Sequence, residues 1–268
     1  MTGIMNGKRG LIMGVANSHS IAWGIAQKLA GQGAELAFTY QGEALGKRVK
    51  PLAAELGSDF VIPCDVEDIA SVDATIDAIK ENWGKLDFVV HAIGFSDKNE
   101  LKGLYADTSR ENFSRTMVIS CFSFTEIAKR AAGLMNEGGA MLTLTYGGST
   151  RIMPNYNVMG VAKAALEASV RYLAGDYGPR GIRVNAISAG PIRTLAGAGI
   201  SDARAMLSWQ QQNAPLRRTV TIEDVGNSAL YLLSDLSSGV TGEIHYVDSG
   251  YNITSMPAID ALRTADTE

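Results

Sequence analysis

Short apolar runs alternate with amphipathic stretches along almost the whole chain. The runs are apolar at nearly every position, as is typical of strands in a parallel sheet that is covered on both faces. They predict strands at Arg9–Met13, Ala34–Thr39, Phe60–Pro63, Leu86–His91, Ala140–Thr145, Arg183–Ile187 and Glu243–Val247. Between them, helical spacing of apolar residues predicts helices over Ile21–Gln32, Glu43–Leu56, Ile69–Trp83, Arg110–Met135, Asn157–Tyr177 and Ile222–Ser234.

Strand and helix alternate from end to end without a linker or repeat. This order predicts a single α/β domain over residues 1–268, of the Rossmann-type doubly wound class, with a seven-stranded parallel sheet and helices on both faces. Gly178-Pro179 is expected to end one helix, and Thr221 with Asp224 resembles a capping box that begins the next. The pattern fades only at Thr194–Ile200, where Gly and Ala predict a mobile loop.

The composition of the chain gives little reason to expect certain classes of binding partner. The 268 residues carry a net charge of -4, which gives no electrostatic reason to expect nucleic acid or an anionic membrane surface. No apolar run approaches the length of a transmembrane helix, and the run after Lys8-Arg9 is too short to favour a secretory signal. Cys64 and Cys121 lie in apolar segments without metal-site spacing, so we expect buried, unpaired thiols and a cytoplasmic location.

The turn after the first strand is a possible phosphate loop. Gly14 and Gly24 flank small polar residues, and a helix begins near Ser20 with free N–H groups and a positive dipole end. The common Gly-x-Gly-x-x-Gly pattern is absent, so an ordinary strand–helix turn is as good an interpretation of the motif alone. Its position after strand one favours a dinucleotide site.

The ends of the next three strands would face the rest of a dinucleotide. An uncharged Gln41 stands where an acid often binds the adenine ribose, which favours NADH over NADPH, although Lys47 and Arg48 lie nearby on what is more simply a solvated helix face. Asp65 and Val66 would lie at the adenine, and the stretch from Ile93 would lie beside the ribose. Ordinary turn chemistry at strand ends is the alternative.

A tyrosine and a lysine follow strand five. Tyr156 and Lys163 are seven residues apart, close to two helical turns and a rise of roughly 10 Å, so both would project from one helix face. Lys163 could hold a cofactor ribose while Tyr156 reaches a substrate carbonyl, and the lysine charge would favour the phenolate form of the tyrosine. Such pairs also arise by chance, but Tyr146 and the Gly147-Gly148-Ser149 turn strengthen the functional interpretation.

Taken together, these segments resemble the short-chain dehydrogenase superfamily, and within it the branch of bacterial enoyl-acyl-carrier-protein reductases. The resemblance spans roughly residues 8–256 and includes Ser20-Ile21-Ala22, Cys64-Asp65-Val66, Ile93-Gly94-Phe95 and the run from Ala189 to Thr194. Ordinary members carry Tyr-x-x-x-Lys, whereas Met159 stands four residues before Lys163 here. The longer Tyr-x6-Lys spacing, from Tyr156 to Lys163, is that of the enoyl reductases.

The resemblance implies roles for individual residues. Tyr156, Lys163 and Tyr146 would be the catalytic residues. NADH would contact Gly14, Ser20, Ile21, Gln41, Asp65, Val66, Ile93, Gly94, Lys163, Ile192, Arg193, Thr194, Leu195 and Ala196. The acyl substrate would contact Phe95, Ser96, Tyr146, Tyr156, Met159, Ala203 and Met206, under a lid around residues 194–213. Ala203 departs from relatives that carry a bulky aromatic residue there, which puts acyl-chain length preference in doubt.

The implied reaction is hydride transfer from NADH to C3 of a trans-2-enoyl thioester on acyl carrier protein, the last step of the type II elongation cycle. The resemblance also implies a homotetramer that packs through its fourth and fifth helices. Two other functions remain open: a ketone or alcohol dehydrogenase of the same superfamily, and a non-catalytic NAD-binding protein. The absence of Tyr-x-x-x-Lys disfavours the first, and the intact Tyr156 and Lys163 disfavour the second.

Overall fold

The computed structural model of the protein describes residues 3–194 and 203–259. Its strands form one seven-stranded parallel sheet in the order β3-β2-β1-β4-β5-β6-β7. The strands are β1 (Arg9–Met13), β2 (Glu35–Tyr40), β3 (Val61–Pro63), β4 (Phe88–His91), β5 (Ala140–Thr145), β6 (Arg183–Ala189) and β7 (Ile244–Val247). The predicted fold class is confirmed, and the change of direction between β1 and β4 creates the switch point at which such sheets bind ligands.

Helices cover both faces of the sheet. They are α1 (Ile21–Gly31), α2 (Gly42–Glu55), α3 (Ile69–Trp83), α4 (Arg110–Met117), α5 (Ser123–Ala132), α6 (Asn157–Tyr177), α7 (Ala203–Asn213) and α8 (Ile222–Leu233). Val89 and Met141 belong to the apolar core on the side of α3, α5 and α6, while Val90 and Leu142 belong to the core on the side of α1, α2 and α8. Since neighbouring strand residues point to opposite faces, continuous apolar strands supply both cores.

The ends of α6 and α8 agree with their sequence signals. Gly178 caps the C-terminus of α6. Thr221 and Asp224 form a reciprocal capping box at the start of α8, and Arg218 holds the Asp224 carboxylate with two further hydrogen bonds. This pairing, opposed in part by burial, lowers the pKa of Asp224 to about 2.

Two glycines let α1 and α8 approach each other closely. A Cβ on Gly24 would lie 2.4 Å from the Ile222 carbonyl oxygen, and one on Gly226 would lie 2.6 Å from the Gly24 carbonyl oxygen. Neither position has room for a larger side chain, because both neighbours are backbone atoms. The contact fixes the helix whose first turn faces the switch point.

The prediction of one continuous helix over Arg110–Met135 is wrong. A π-helical turn at Val118–Phe122 separates α4 from α5, which ends at Ala132. The wider turn coincides with a hydrogen bond from the backbone N–H of Phe95 to the buried Ser120 hydroxyl, and such turns are common near functional sites.

The polar run Gln210–Gln212 predicts a solvated helix face, and this prediction is wrong for Gln210. Gln210 is buried, and its Nε2 donates to the Asp248 carbonyl oxygen at 2.9 Å, whereas Gln211 and Gln212 are exposed. The Gln210 side chain therefore attaches α7 to the segment that follows β7. Among the described helices, none combines the length and apolar character that a membrane crossing requires.

Candidate active site

The loops that follow β1, β4 and β5 meet at the carboxyl edge of the sheet. Gly14, at the end of β1, has φ of +100°, and a Cβ there would lie 2.1 Å from the Ala92 carbonyl oxygen. Only glycine accommodates both the conformation and the contact. The first turn of the dinucleotide loop is thereby pressed against the end of β4.

The loop from Gly14 to α1 is organised by Ser20. Its hydroxyl accepts hydrogen bonds from the backbone N–H groups of Ala16 at 3.0 Å and Asn17 at 3.1 Å. The N–H groups of Ile21 and Ala22, in the first turn of α1, have no acceptor within the helix and point out of its N-terminus. This edge of the sheet therefore fits a pyrophosphate group, with Ser20 shaping the loop and Ile21 supplying a donor.

A carboxylate stands at the predicted adenosine end. The Gln41 side-chain amide donates to Asp65 Oδ2 at 3.0 Å across the ends of β2 and β3, and the adjacent Val66 is buried. Asp65 is further fixed because its Oδ1 accepts from the Glu67 backbone N–H. A negative group here disfavours a ribose 2′-phosphate, while Lys47 and Arg48 are exposed on α2.

The loop after β4 is fastened to the π-helical turn. Ser120 Oγ accepts from the Phe95 backbone N–H at 2.9 Å and donates to the Phe95 carbonyl oxygen at 2.9 Å. Ile93 and Gly94 precede this attachment, and a Cβ on Gly94 would lie 3.7 Å from Lys163 Nζ. The predicted ribose loop thus lies directly beside the predicted ribose-binding lysine.

Phe95 and Ser96 have partners on α4. The Arg115 guanidinium lies 4.6 Å from the centre of the Phe95 ring and also pairs with Glu67. Ser96 Oγ accepts from the Asn112 amide at 3.1 Å and from Thr116 Oγ1 at 3.0 Å. These contacts stabilise the loop, and a substrate contact by either residue stays a prediction.

Lys163 is buried beneath this loop. Its Nζ donates to the Leu144 carbonyl oxygen in β5 at 2.8 Å. Burial lowers the pKa of Lys163 to about 8, and the neighbouring Cys121 and Glu167 oppose that lowering. One of the three ammonium hydrogens is therefore committed to β5, which leaves two for a ligand.

The buried Tyr156 and the half-buried Tyr146 form an aromatic pair. Their ring centres are 5.1 Å apart with an angle of 75° between the planes, an edge-to-face arrangement. Burial, with a smaller effect of Tyr146, raises the pKa of Tyr156 well above its ordinary value, and burial with a smaller effect of Tyr251 raises that of Tyr146 to about 12. The expectation that Lys163 favours the Tyr156 phenolate is wrong, because loss of hydration dominates and keeps the hydroxyl protonated.

The backbone around Tyr156 is unusual. Tyr156 lies at the N-cap of α6 and not within it, between Asn155 and Asn157, which have positive φ values of 57° and 33°. Asparagine tolerates this region better than most other residues that carry a Cβ. A Cβ on Gly148 would lie 2.5 Å from Cδ1 of the Tyr156 ring, so the Gly-rich turn after β5 fixes the position of that ring.

A small apolar cluster surrounds the tyrosine pair. Leu101, Val158 and Met159 are buried with Tyr156, and Met153 and Tyr146 pack against them. Met206 is half-buried in α7. The cluster around Tyr156 forms an apolar wall of the kind that an acyl chain requires.

The predicted residues after β6 are only partly described. Ile192 packs against the core on the α1 side, Arg193 is exposed and Thr194 is half-buried. Leu195, Ala196 and the side chain of Ala203 lie outside the described residues.

Two buried polar residues of the site, Ser120 and Glu167, were not predicted from the sequence. Ser120 carries no sequence signal, because a serine within an apolar helix is ordinary. Glu167 carries one: it follows Lys163 by four residues, the spacing that places two helical side chains on one face. His91, expected to be a core residue, is indeed buried and contacts Ser123 and Thr143.

Comparisons with known proteins show the family of the chain. Residues 14–252 match the family described as Enoyl-(Acyl carrier protein) reductase. The chain is 88% identical over 268 residues to the Enoyl-[acyl-carrier-protein] reductase [NADH] 2 of Rhizobium meliloti (strain 1021), with 100% of both chains covered.

Two solved structures share the fold. The crystal structure of FabI from Candidatus Liberibacter asiaticus superimposes with a TM-score of 0.94 at 67% identity and covers 96% of this chain and 100% of that one. The enoyl-(acyl-carrier-protein) reductase of Anaplasma phagocytophilum, solved in complex with NAD, gives a TM-score of 0.92 at 56% identity and 97% coverage of both chains.

Proposed function

The chain belongs to the family of enoyl-(acyl carrier protein) reductases, and from this premise we propose how its residues carry out the reaction. That reaction is the NADH-dependent reduction of the C2–C3 double bond of a trans-2-enoyl thioester on acyl carrier protein, in fatty-acid elongation. The observation that carries the residue assignment is a buried Tyr156 at the N-cap of α6, the helix whose buried Lys163 lies beside the loop that Ser120 fastens.

The residues at the carboxyl edge of the sheet would hold the cofactor. The first-turn amides of α1 would bind the pyrophosphate, Gln41 and Asp65 would bind the adenine ribose, and Lys163 would donate to the nicotinamide ribose. NADH supplies the hydride when it is bound. The Asp65 carboxylate supports the preference for NADH over NADPH, since it repels a 2′-phosphate.

Tyr156 is the proton-bearing group that faces the substrate. Negative charge develops on the thioester oxygen as C3 is reduced, and a donor aimed at that oxygen stabilises the transition state. A tyrosine whose pKa is raised by burial donates a hydrogen bond without giving up its proton. Tyr146 packs edge-to-face against Tyr156 and keeps its ring from turning away.

The acyl chain lies against the apolar wall of Leu101, Met153 and Met159. Residues 194–213 would act as a lid over the cofactor and the acyl chain; residues 195–202 lie outside the described part of the chain, and Met206 is half-buried on α7. We treat residues 1–268 as one catalytic domain, because every described strand belongs to the same sheet.

A substrate panel tests the reaction. We expect rapid NADH oxidation with a medium-chain trans-2-enoyl thioester, much slower oxidation of NADPH, and little turnover of a β-ketoacyl thioester. Absorbance at the nicotinamide band measures all three. Turnover of the ketoacyl substrate alone would identify a ketone reductase, and no turnover of either would leave an NAD-binding protein without this activity.

An apolar face on α4 to α6 supports self-association. Several of its large side chains are exposed, among them Phe113, Phe122 and Tyr172. We propose that a second copy of the chain covers this face within a homotetramer located in the cytoplasm. Light scattering of the purified protein is expected to give the mass of four chains, and a monomeric mass of 28.5 kDa would refute the assembly.

A further inference from the structure

A buried carboxylate lies one helical turn beyond Lys163. Glu167 is only 6% exposed, and Thr145 Oγ1 donates to its Oε1 at 2.7 Å. Lys163 and Glu167 share one face of α6, because side chains four residues apart lie one above the other. Burial of a carboxylate costs free energy unless the group is hydrogen-bonded and paired with a positive charge.

The two side chains bind consecutive residues of β5. Lys163 donates to the Leu144 carbonyl oxygen, and Glu167 accepts from the Thr145 hydroxyl. Tyr146 follows Thr145 directly. The end of β5 is therefore attached to α6 at two levels, and the position of the tyrosine pair depends on that attachment.

Among the described residues, three titratable side chains face Lys163. His91 faces it from β4, Cys121 from the π-helical turn and Glu167 from α6 itself. Burial and the Lys163 charge lower the pKa of His91 to about 3, so the imidazole is neutral. Burial raises the pKa of the Cys121 thiol, which stays uncharged near neutral pH. Glu167 is thus the carboxylate of this set.

We propose that Glu167 is a positioning residue for Lys163: its carboxylate, one turn away on the same face of α6, keeps the lysine in the charged, three-donor form that would bind the cofactor ribose. A neutral amine has two hydrogens, and one of them is committed to Leu144, so loss of the charge removes one ligand bond. The inference rests on the proposed binding of the ribose by Lys163.

The Glu167→Gln variant isolates the charge. Glutamine keeps the volume and an oxygen that accepts from Thr145, but it removes the negative charge that opposes the lowering of the Lys163 pKa. Lys163 then loses its proton at lower pH. We expect the pH at which NADH binding weakens to fall by about one unit, with Kd raised roughly fivefold at pH 8 and little changed at pH 6.

Protein fluorescence titrated with NADH between pH 6 and pH 9 measures this without turnover. The Thr145→Val variant loses the hydrogen bond but keeps the charge, so its pH midpoint is expected to match the parent. Glu81→Gln, an exposed change on α3, is the matched control. A Glu167→Gln curve that is displaced equally at every pH, or not at all, would overturn the proposal.

Two further variants keep the test decisive. If Glu167→Gln does not fold, Glu167→Asp retains the charge and is expected to keep the parent midpoint, and a lowered midpoint refutes the inference. The Lys163→Met variant tests the role of Lys163 separately from that of Glu167. If it binds NADH as the parent does, the proposed role of Lys163 fails. If it loses affinity while Glu167→Gln behaves as the parent, only the role of Glu167 fails.

Discussion

The Tyr156→Phe variant is expected to lower kcat for the enoyl thioester roughly 100-fold, the effect of removing one donor from a developing oxyanion. The substitution deletes a single hydroxyl and leaves the ring, so the edge-to-face contact with Tyr146 and the packing against Gly148 survive. The Kd for NADH is expected to stay close to that of the parent. Steady-state kinetics on the enoyl substrate, paired with NADH titration, measure both quantities.

Tyr231→Phe on α8 is the matched control, since it removes a tyrosine hydroxyl at a position 38% exposed to solvent. Its kcat should equal that of the parent. Unchanged kcat in Tyr156→Phe would remove this hydroxyl from the mechanism. A large rise in the Kd for NADH would instead show that Tyr156 acts by shaping the cofactor site.

Lys163→Met is expected to raise the Kd for NADH roughly 100-fold, because two hydrogen bonds from a charged donor are lost. Methionine fills nearly the same volume as lysine, so the substitution leaves no large cavity in the folded state. The raised Kd should be accompanied by a fall in kcat/KM for NADH. Thermal unfolding reports whether the variant remains folded.

The pH dependence distinguishes this effect from simple damage. In the parent, Lys163 is charged below its pKa of about 8 and loses the charge as pH rises through that value, so NADH affinity should fall above about pH 8. The Lys163→Met variant has no such group, and its affinity should lack this step. Lys80→Met, an exposed change on α3, should retain it. A step that persists in Lys163→Met would assign the titration to another group.

Much of the fold follows from local patterns. Strands β1 and β5 match their predicted bounds, because apolar runs flanked by turn residues have no competing helical period. Helix α3 also matches, with Asp68 accepting from the Ala70 backbone N–H at its start and Gly84 in the left-handed region at its end. These signals act over a few residues, so a sequence displays them directly.

The features that escaped prediction depend on contacts between distant residues. Gln210 is polar and sits in a polar run, but its amide reaches the Asp248 carbonyl oxygen and becomes buried. The spacing of Tyr156 and Lys163 predicts a phenolate, whereas burial in the cluster that includes Leu101 and Met153 raises the pKa of Tyr156. Burial of a given side chain is a property of the assembled fold.

The sequence predicted which residues form the site better than it predicted how they are placed. The sequence named Tyr156 and Lys163 and predicted the bounds of α6 correctly, but it treated both side chains as members of one helix face. Tyr156 instead precedes α6, between two asparagines with positive φ. It missed Ser120, since no local pattern signals that a helical serine will bind the backbone of a loop 25 residues earlier. The supporting groups appear only once β4, β5 and α6 are brought together.

The π-helical turn at Val118–Phe122 places an unusual constraint on the length of the chain. Deleting one residue there would restore ordinary helical register and rotate α4 by about 100° relative to α5. Asn112 and Thr116 would then leave Ser96, while Ser123 would keep its contact with His91. Evolution can therefore exchange side chains in this stretch far more easily than it can insert or delete a codon.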